Sequence, residues 1–230
     1  MRKIYLSLAI LAVLGCVFIV YGKATVTDNL PEIPVIETRT DSANEVSSKG
    51  KVLIVYFTSP ETDEVDTSSG ASRLVSDGKL YGNTEYVATL ISEETGGDLF
   101  QIKTVHTYPG THKELIDDAK KENELKARPK LATHIKDLAD YDVIFVGFPN
   151  WWYDMPMPLY SFFAEYDFTG KTIIPFCTHG GSRFSQAEKT IASLEKGAKM
   201  RKGLAISRNN VPDSKESVLK WLQGMGMANK

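Results

Sequence analysis

The chain has 230 residues, of which 42% are hydrophobic and 24% are charged, and this balance excludes a disordered or fibrous protein. Its formal net charge of −2 at pH 7 argues against nucleic acid as a partner, because proteins that bind nucleic acid carry basic patches. Two cysteines are present, Cys16 near the start and Cys177 far downstream. With one thiol in the folded part, no disulfide is expected there.

The first 24 residues are typical of a signal peptide or an N-terminal membrane or lipid anchor. Arg2 and Lys3 precede an apolar run from Ile4 to Tyr21. Val13-Leu14-Gly15-Cys16 is similar to a lipoprotein cleavage box, and Gly22-Lys23-Ala24 offers another cleavage point. Whether the segment is cleaved, lipidated or retained as an anchor, the rest of the chain is expected outside the cytoplasm, either membrane-anchored or secreted. The reason is that the basic N-terminus stays inside.

Residues 25–50 read as a flexible tether. They contain Pro31, Pro34 and several Thr, Ser and Glu residues without helical or strand periodicity. The folded domain is therefore expected over residues 51–230.

The domain opens with an apolar run from Lys51 to Phe57, which predicts a strand buried on both faces. The interval 60–81 is rich in acidic residues, serine and glycine, and predicts a functional flap or a disordered segment. A helix is predicted to begin at Asn83 and to end at Gly96-Gly97, followed by a second strand over residues 98–104.

Further helices and strands alternate along the rest of the chain. Capping-box spacing predicts helix starts at Thr111 with Glu114, at Ser185 with Glu188 and at Asp213 with Glu216. Apolar spacing predicts a short helical seam through Leu131, Ile135 and Leu138, and a helix through Leu159, Phe162 and Phe163. Strands are predicted over residues 143–148, 171–177 and 200–206, the second of them with an unusual internal proline, Pro175.

Five alternations of strand and helix predict an α/β fold, a doubly wound parallel sheet with helices on both faces. Ligands of such sheets bind outside the carboxyl ends of the strands. Three loops are expected at that edge, over residues 58–84, 149–155 and 178–182.

The first loop predicts a phosphate site. Its hydroxyl and amide side chains, together with the start of a helix, can bind an anion. No lysine or arginine flanks Gly82-Asn83-Thr84, so a single phosphate is the expected guest.

The other two loops favour a flat ring. Trp151, Trp152 and Tyr153 could stack on an aromatic guest or could simply seal the sheet against its helices. Gly180 and Gly181 could let the backbone approach a ligand closely, or could form a plain strand-to-helix turn. Together the three loops describe a site for a phosphorylated planar ring, and FMN fits best.

The sequence resembles the flavodoxin superfamily, and within it the flavodoxin-like proteins with an enlarged first loop. The matching stretches are Lys51 to Thr58, Gly82 to Ala88, Tyr108-Pro109, Ala119 to Glu122, Arg128-Pro129, Tyr141 to Pro149, Trp151-Trp152, Gly170 to Thr178 and Gly180 to Ser182. The resemblance implies the strand order 2-1-3-4-5 and one non-covalently bound FMN. The chain departs from short-chain flavodoxins at the interval 60–81, which splits the phosphate loop.

Carried over position by position, the resemblance also implies site residues. The FMN phosphate would be held by Thr58, Ser59, Asn83 and Thr84, with Gly82 beside them. The isoalloxazine ring would lie along Pro149, Asn150, Trp151 and Trp152, with Thr178, His179, Gly180 and Gly181 at its pyrimidine edge.

The expected function is that of an FMN-dependent oxidoreductase or electron-transfer protein. It would pass electrons between a reduced donor such as NAD(P)H and an acceptor such as a quinone or a redox protein. A one-electron carrier and a non-catalytic tethered binding module remain open alternatives. His179 could tune the flavin as a cation, or could hydrogen-bond its own loop.

Other chemistries have little support in the sequence. The four histidines, His106, His112, His134 and His179, lack metal-ligand spacing, so no metal site is expected. Cys177 ends an apolar strand and is expected to be an inert core thiol.

Overall fold

The structure, a computed structural model, describes residues 50–62 and 73–228. The leader over residues 1–24, and the tether over residues 25–50 apart from Gly50, lie outside the described residues and stay predictions. Within the described part, no helix has the length and apolar character needed to cross a membrane.

The elements follow one another as the alternating pattern predicts. In chain order they are β1 (Val52–Tyr56), β2 (Arg73–Ser76), β3 (Lys79–Gly82), α1 (Asn83–Thr95), β4 (Asp98–Gln101), α2 (His112–Glu124), β5 (Val143–Pro149), α3 (Met157–Glu165), β6 (Thr172–His179), α4 (Ala187–Leu194), β7 (Lys199–Met200), β8 (Leu204–Ser207) and α5 (Lys215–Gly224). Single 3-10 turns at Leu138–Asp140 and Arg208–Asn210 join some of them.

The main sheet has the order β4-β1-β5-β6-β7, with β8 also paired to β6, and its strand pairs are parallel. The hairpin strands β2 and β3 form a separate two-stranded sheet. When they are left out and β7 and β8 are counted as one interrupted edge strand, the strands of the main sheet have the order 2-1-3-4-5. The predicted flavodoxin-like wound sheet is confirmed.

The core lies on both faces of this sheet. Side chains alternate along β1, so Leu53 and Val55 join one apolar cluster while Ile54 and Tyr56 join the other. The first cluster includes residues of α2, α3 and α4, and the second includes residues of α1 and α5. All five residues of β1 are therefore buried.

A β-hairpin occupies part of the interval 60–81, for which a functional flap or a disordered segment is predicted. β2 and β3 pair antiparallel through the turn Asp77-Gly78, in which both residues have positive φ (50° and 75°). Asp-Gly between two short apolar runs is a strong hairpin signal, because this turn matches the twist of the strands. Of the two predicted alternatives, disorder is wrong for residues 73–81, and the functional flap stays a prediction. Residues 63–72 lie outside the described part.

The predicted helical seam is also wrong. Residues around Leu131 run extended and pair antiparallel with the chain after β4, where Val105 N donates to Lys130 O (2.8 Å) and Ala132 N donates to Lys103 O (2.7 Å). Pro129 disfavours helical backbone at the residue before it. Leu131 is buried all the same.

Two of the three capping boxes are displaced. Thr111 does precede α2, and its hydroxyl donates to the Glu114 carboxylate at 2.6 Å. Helix α4 starts after Gln186 instead of Ser185, whose φ of 47° does not suit an N-cap. Helix α5 starts after Ser214, one residue beyond the predicted Asp213.

Pro175 explains why the last strand is in two pieces. Ile173 pairs with Met200, and Phe176 pairs with Leu204. Between these two pairs, β6 has residues 174–175 while the edge strand has residues 201–203, which is one residue more. Pro175 lies between Ile173 and Phe176 and has no N–H to donate to the ladder. The edge strand bulges there, and the predicted single strand over residues 200–206 becomes β7 and β8.

Candidate cofactor site

The three predicted loops meet at the carboxyl edge of the sheet. The hydroxyls of Thr84 and Thr178 lie 2.8 Å apart, which joins the first loop to the third. Asn150 N donates to Thr178 O at 2.8 Å, which joins the second loop to the third. Phe57, the residue just before the first loop, is in edge-to-face contact with Trp151 of the second loop, with ring centroids 5.4 Å apart.

In the first loop, a buried hydroxyl has no partner. Thr58 is 7% exposed, and its Oγ1 has no hydrogen-bond partner among the described residues. Gly82, the N-cap of α1, lies directly against it, because a Cβ on Gly82 would collide with Thr58 Oγ1. Buried polar groups are rarely left unpaired, so this atom indicates a place where a ligand completes the site.

The start of α1 supplies the other predicted phosphate contacts. Asn83 and Thr84 are buried at its first turn, where backbone N–H groups and the helix dipole favour an anion. Glu85 accepts a hydrogen bond from Gly82 N at 3.3 Å and so satisfies one of these donors. Burial, and secondarily Glu85, raises the pKa of Tyr56 to about 12, so this phenol stays neutral. Ser59 is half-buried beside Thr58.

The second loop divides its aromatic residues between two roles. Trp151 is buried and lies edge-on to Phe57 and Tyr108, so it seals the sheet. Trp152 and Tyr153 are 44% and 67% exposed. Of the two tryptophans, Trp152 is the one with a ring surface left for a guest.

A tight turn holds these aromatic residues in place. Trp151 and Asp154 exchange two backbone hydrogen bonds of 3.0 Å, and the residues between them, Trp152 and Tyr153, have φ of 52° and 65°. Bulky residues rarely adopt positive φ, and such strain concentrates at functional sites. Trp152 Nε1 also donates to Ile116 O at 3.3 Å, which ties the turn to α2.

The third loop, which in the structure continues to Gln186 before α4, is held in place by Asn150, just after β5. Its Nδ2 donates to Arg183 O (2.8 Å) and lies 3.4 Å from Ser185 Oγ, and its Oδ1 accepts from Ser182 Oγ (3.0 Å). Arg183 and Ser185 both have positive φ, so these bonds hold a strained backbone. The side chain of Asn150 thus bonds the neighbouring loop, while Pro149 ends β5 beside it.

His179 bonds its own loop. Its Nδ1 accepts a hydrogen bond from Gly181 N at 2.9 Å, which requires that nitrogen to be unprotonated. Burial, and secondarily the nearby Arg183, lowers the pKa of His179 below its usual value. Of the two interpretations of this residue, the geometry favours the loop contact over a cation at the flavin edge. Gly180 follows it on the exposed side of the loop.

A cleft with a cavity volume of about 190 Å³ opens between α2 and the second loop. It is lined by His112, Leu115, Ile116, Ala119, Asn150, Trp151 and Trp152. Its walls are mostly apolar or aromatic with few polar groups, as is usual for sites that hold planar ligands.

One polar pair beside this cleft is not among the residues predicted from the sequence. Glu61 has a fully buried side chain, and its carboxylate lies 2.8 Å from His112 Nδ1. His112 is the first residue of α2, directly after the Thr111 cap. The sequence does contain a signal for His112, because this residue directly follows the predicted helix cap Thr111. A helix that starts at the carboxyl edge of the sheet faces the site.

Metal and thiol chemistry find no support in the described part of the chain. There, no three His, Cys, Asp or Glu side chains are grouped to hold a metal ion. Cys177 is buried, and burial raises the pKa of its thiol well above the usual range, as expected for an inert core cysteine.

Comparison with known proteins identifies the family. A family model described as flavodoxin matches residues 72–225, more than half of the chain. A protein of Bacteroides uniformis provisionally named a flavoprotein is 30% identical, with a TM-score of 0.58, over 76% of this chain and 98% of its own.

Two more distant solved structures share the fold. One is from Bacteroides eggerthii, at 21% identity and a TM-score of 0.56 over 76% of this chain and 98% of its own. The other is a Lactobacillus acidophilus flavoprotein in complex with FMN, at 18% identity and a TM-score of 0.51 over 71% of this chain and 97% of its own. No curated protein matches the chain significantly.

Proposed function

The chain belongs to the flavodoxin family, and on that basis we propose that it passes electrons, through FMN, between a reduced donor and an acceptor. Family membership confirms FMN as the cofactor expected from the sequence. The donor, the acceptor and the residues that bind FMN are parts of the proposal.

The unpaired hydroxyl of Thr58 is the observation that carries this proposal. It lies against Gly82 at the start of the 13-residue helix α1. A phosphate there would accept a hydrogen bond from Thr58 and would lie at the positive end of the helix dipole. The residues present therefore fit the phosphate of FMN.

The remaining residues of the site divide between binding and scaffolding. Thr58, Ser59, Asn83 and Thr84 would hold the phosphate, and Trp152 would lie along the ring system. Asn150 and His179 hold the third loop in shape. The flavin supplies the redox chemistry, and the protein binds and orients it and limits access of water.

The cleft beside α2 supports a reductase more than a pure carrier. A one-electron carrier needs only a docking face for its partner protein. Here a mostly apolar cleft lies next to Trp152, as is usual for sites that bind small molecules. We therefore favour a reductase over a one-electron carrier. The reductase would accept electrons from NAD(P)H and pass them to a small acceptor such as a quinone.

The visible spectrum of the purified full-length chain tests this function. We expect a yellow protein that absorbs near ~450 nm and that bleaches when NADH or NADPH is added. A yellow protein that no nicotinamide bleaches would be a carrier. A protein that stays colourless after FMN is added would contradict the proposed function and favour the tethered binding module.

We also propose that the domain works outside the cytoplasm, held at the membrane by its N-terminal segment. The support is the basic start and apolar run of residues 1–24. Cell fractionation tests this directly. The full-length chain is expected with the membranes or outside the cell, and a chain without residues 1–24 is expected in the cytoplasm.

A further inference from the structure

A second cavity lies against the same face of α2 as the apolar cleft. It has a volume of about 330 Å³ and is lined by Asn123, Lys126, Arg128, Asp154, Met157 and Tyr160. Ala119 of the cleft and Asn123 of this cavity share one helix face and are about 6 Å apart along the axis. Both cavities also border the second loop, the cleft at Trp152 and the second cavity at Asp154. A ligand longer than a single ring can therefore occupy both.

The second cavity is cationic, whereas the cleft is mostly apolar. Lys126 and Arg128 place two positive charges in its wall against the carboxylate of Asp154. Both oxygens of that carboxylate already accept hydrogen bonds, Oδ1 from Met155 N at 2.8 Å and Oδ2 from the Tyr160 hydroxyl at 2.7 Å. Positive charge is therefore available in this cavity for an anion.

Two other cavities of the described residues lack this excess of positive charge. One lies before α5, and its charged lining residue is Asp213. The other lies beside β4, and its lining includes two lysines and three aspartates. The comparison singles out the cavity at Arg128 as the one suited to an anionic group.

The guanidinium of Arg128 is held in a fixed position. Its Nη1 donates to the carbonyl oxygens of Lys126 (3.0 Å) and Ala127 (2.9 Å), and its Cζ lies 4.7 Å from the centroid of the Tyr160 ring. Burial, and secondarily Asp154, raises the pKa of Tyr160 to about 12, so this ring stays neutral. The N–H groups on Nε and Nη2 of Arg128 have no hydrogen-bond partner among the described residues. A guanidinium fixed in this way is well suited to bind a phosphate.

The parts of a nicotinamide dinucleotide match the two cavities. The nicotinamide is a planar ring, which suits the mostly apolar cleft next to Trp152. The adenosine half of NADPH, unlike that of NADH, also carries a 2′-phosphate, which an arginine accommodates in NADP-binding sites of the Rossmann type. A quinone has no phosphate and would make no use of the second cavity.

We propose that Arg128 binds the 2′-phosphate of NADPH, with Lys126 as a second positive charge, and so makes NADPH the preferred electron donor over NADH. The inference rests on the proposed function and refines it by naming the donor. NADPH would give a hydride to the flavin and leave as NADP⁺, and its 2′-phosphate takes no part in that step. Arg128 should therefore affect the affinity for the donor and leave the rate of flavin reduction at saturation unchanged.

The first test measures the binding of two ligands that differ by the 2′-phosphate alone, 2′,5′-ADP and 5′-AMP. Dissociation constants are measured by titration calorimetry on the FMN-loaded full-length chain. The wild type is expected to bind 2′,5′-ADP about tenfold more tightly than 5′-AMP, the effect of one charge-assisted contact. The Arg128→Gln variant is expected to bind the two ligands equally.

The second test compares NADPH with NADH as donors by following the bleaching of the flavin. The wild-type kcat/KM should be about tenfold higher for NADPH. Arg128→Gln should lose this preference through a higher KM for NADPH, with kcat and both NADH parameters unchanged. Arg128→Lys keeps the charge without the planar set of donors and should keep part of the preference. Arg201→Gln is the matched control and should keep all of it, because Arg201 is exposed and lines neither cavity.

A further variant covers the case in which Arg128→Gln fails to fold, since that change removes the bonds to the carbonyls of Lys126 and Ala127. Lys126 is exposed, so Lys126→Gln should fold as wild type does. It should lower the preference for 2′,5′-ADP about threefold, as expected for the loss of an exposed charge.

The outcomes separate this inference from the proposed function. Equal binding of both ligands by the wild type would overturn the inference, and so would a preference that persists in a folded Arg128→Gln chain. If that chain does not fold, an unchanged preference in Lys126→Gln would overturn it. A yellow chain that NADPH and NADH bleach equally well would overturn the inference and leave the reductase intact. A yellow chain that neither donor bleaches would instead contradict the reductase.

Discussion

The first and third loops lie side by side at the same sheet edge, but they satisfy their polar groups differently. The third loop is complete without a ligand, since Asn150 bonds Ser182 and Arg183, and His179 bonds Gly181. The first loop leaves the buried hydroxyl of Thr58 without a partner among the described residues. The third loop therefore has its hydrogen bonds without FMN, whereas the first loop would gain a partner for Thr58 when FMN binds.

This difference separates two kinds of substitution. Removal of the unpaired hydroxyl of the first loop should weaken FMN binding with little effect on the stability of the FMN-free chain. A change in the third loop should first lower that stability, because its bonds are already made in the absence of FMN.

The largest effect on binding is expected for Gly82→Ala. The added Cβ would collide with Thr58 Oγ1 and push it away from the start of α1. Displacing Thr58 from the start of α1 should weaken FMN binding about a hundredfold, measured by fluorescence titration. Because the collision is present without FMN, the overpacking should also lower the stability of the FMN-free chain by about 1–3 kcal/mol. Gly224→Ala is the matched control, because nothing lies within 4 Å of a Cβ there. Equal affinities of the two variants would disprove the close approach in the first loop.

Asn150→Ala should have the largest effect on stability. It removes the side-chain bonds to Ser182, Arg183 and Ser185. We expect the unfolding free energy of the FMN-free chain to fall by about 2 kcal/mol in urea titrations. An unchanged unfolding free energy would show that the third loop keeps its shape without Asn150.

Thr58→Val should show the opposite pattern with a smaller effect. Valine has a similar shape and removes a buried hydroxyl that has no partner among the described residues, so the FMN-free chain should be as stable as wild type or slightly more stable. FMN binding should weaken about tenfold through the lost bond to phosphate. Unchanged affinity would remove Thr58 from the proposed phosphate site.

The smallest effect is expected for His179→Gln, and it concerns pH. The native pKa of His179 lies below its usual 6.5, so on acidification the unfolded chain takes up a proton before the native chain does. Wild-type stability should therefore decline as pH falls below about 6.5 through this residue, and the variant should lose that part of the decline. The midpoint potential of the bound flavin should not change. A shift in that potential would restore His179 as a tuner of the flavin.

Much of the fold follows from local pattern. The wholly apolar runs of β1 and β5 predicted strands buried on both faces, and Gly96 ends α1 in the left-handed conformation (φ 71°), as predicted. The sequence also predicts that the three loops meet, because parallel strands bring their carboxyl ends to one edge of the sheet. The Asp77-Gly78 hairpin also has a local signal, an Asp-Gly turn between two short strands, although it is not among the predicted elements.

The rest depends on contacts that sequence spacing does not contain. Trp151 and Trp152 are neighbours of the same type, yet the positive φ of Trp152 leaves one exposed while the other is buried. The bonds of Asn150 to the third loop join residues more than 30 positions apart. The same is true of Glu61 and His112, which are 51 positions apart.

The bulge opposite Pro175 has a consequence for the behaviour of this protein at high concentration. An exposed, long edge strand is a template on which another chain can add a strand and start aggregation. Here that edge is cut into the two-residue β7 and the four-residue β8, and Lys199, Arg201 and Lys202 place positive charge at the cut. Pro175 thereby makes this border of the sheet a poor template for fibril growth.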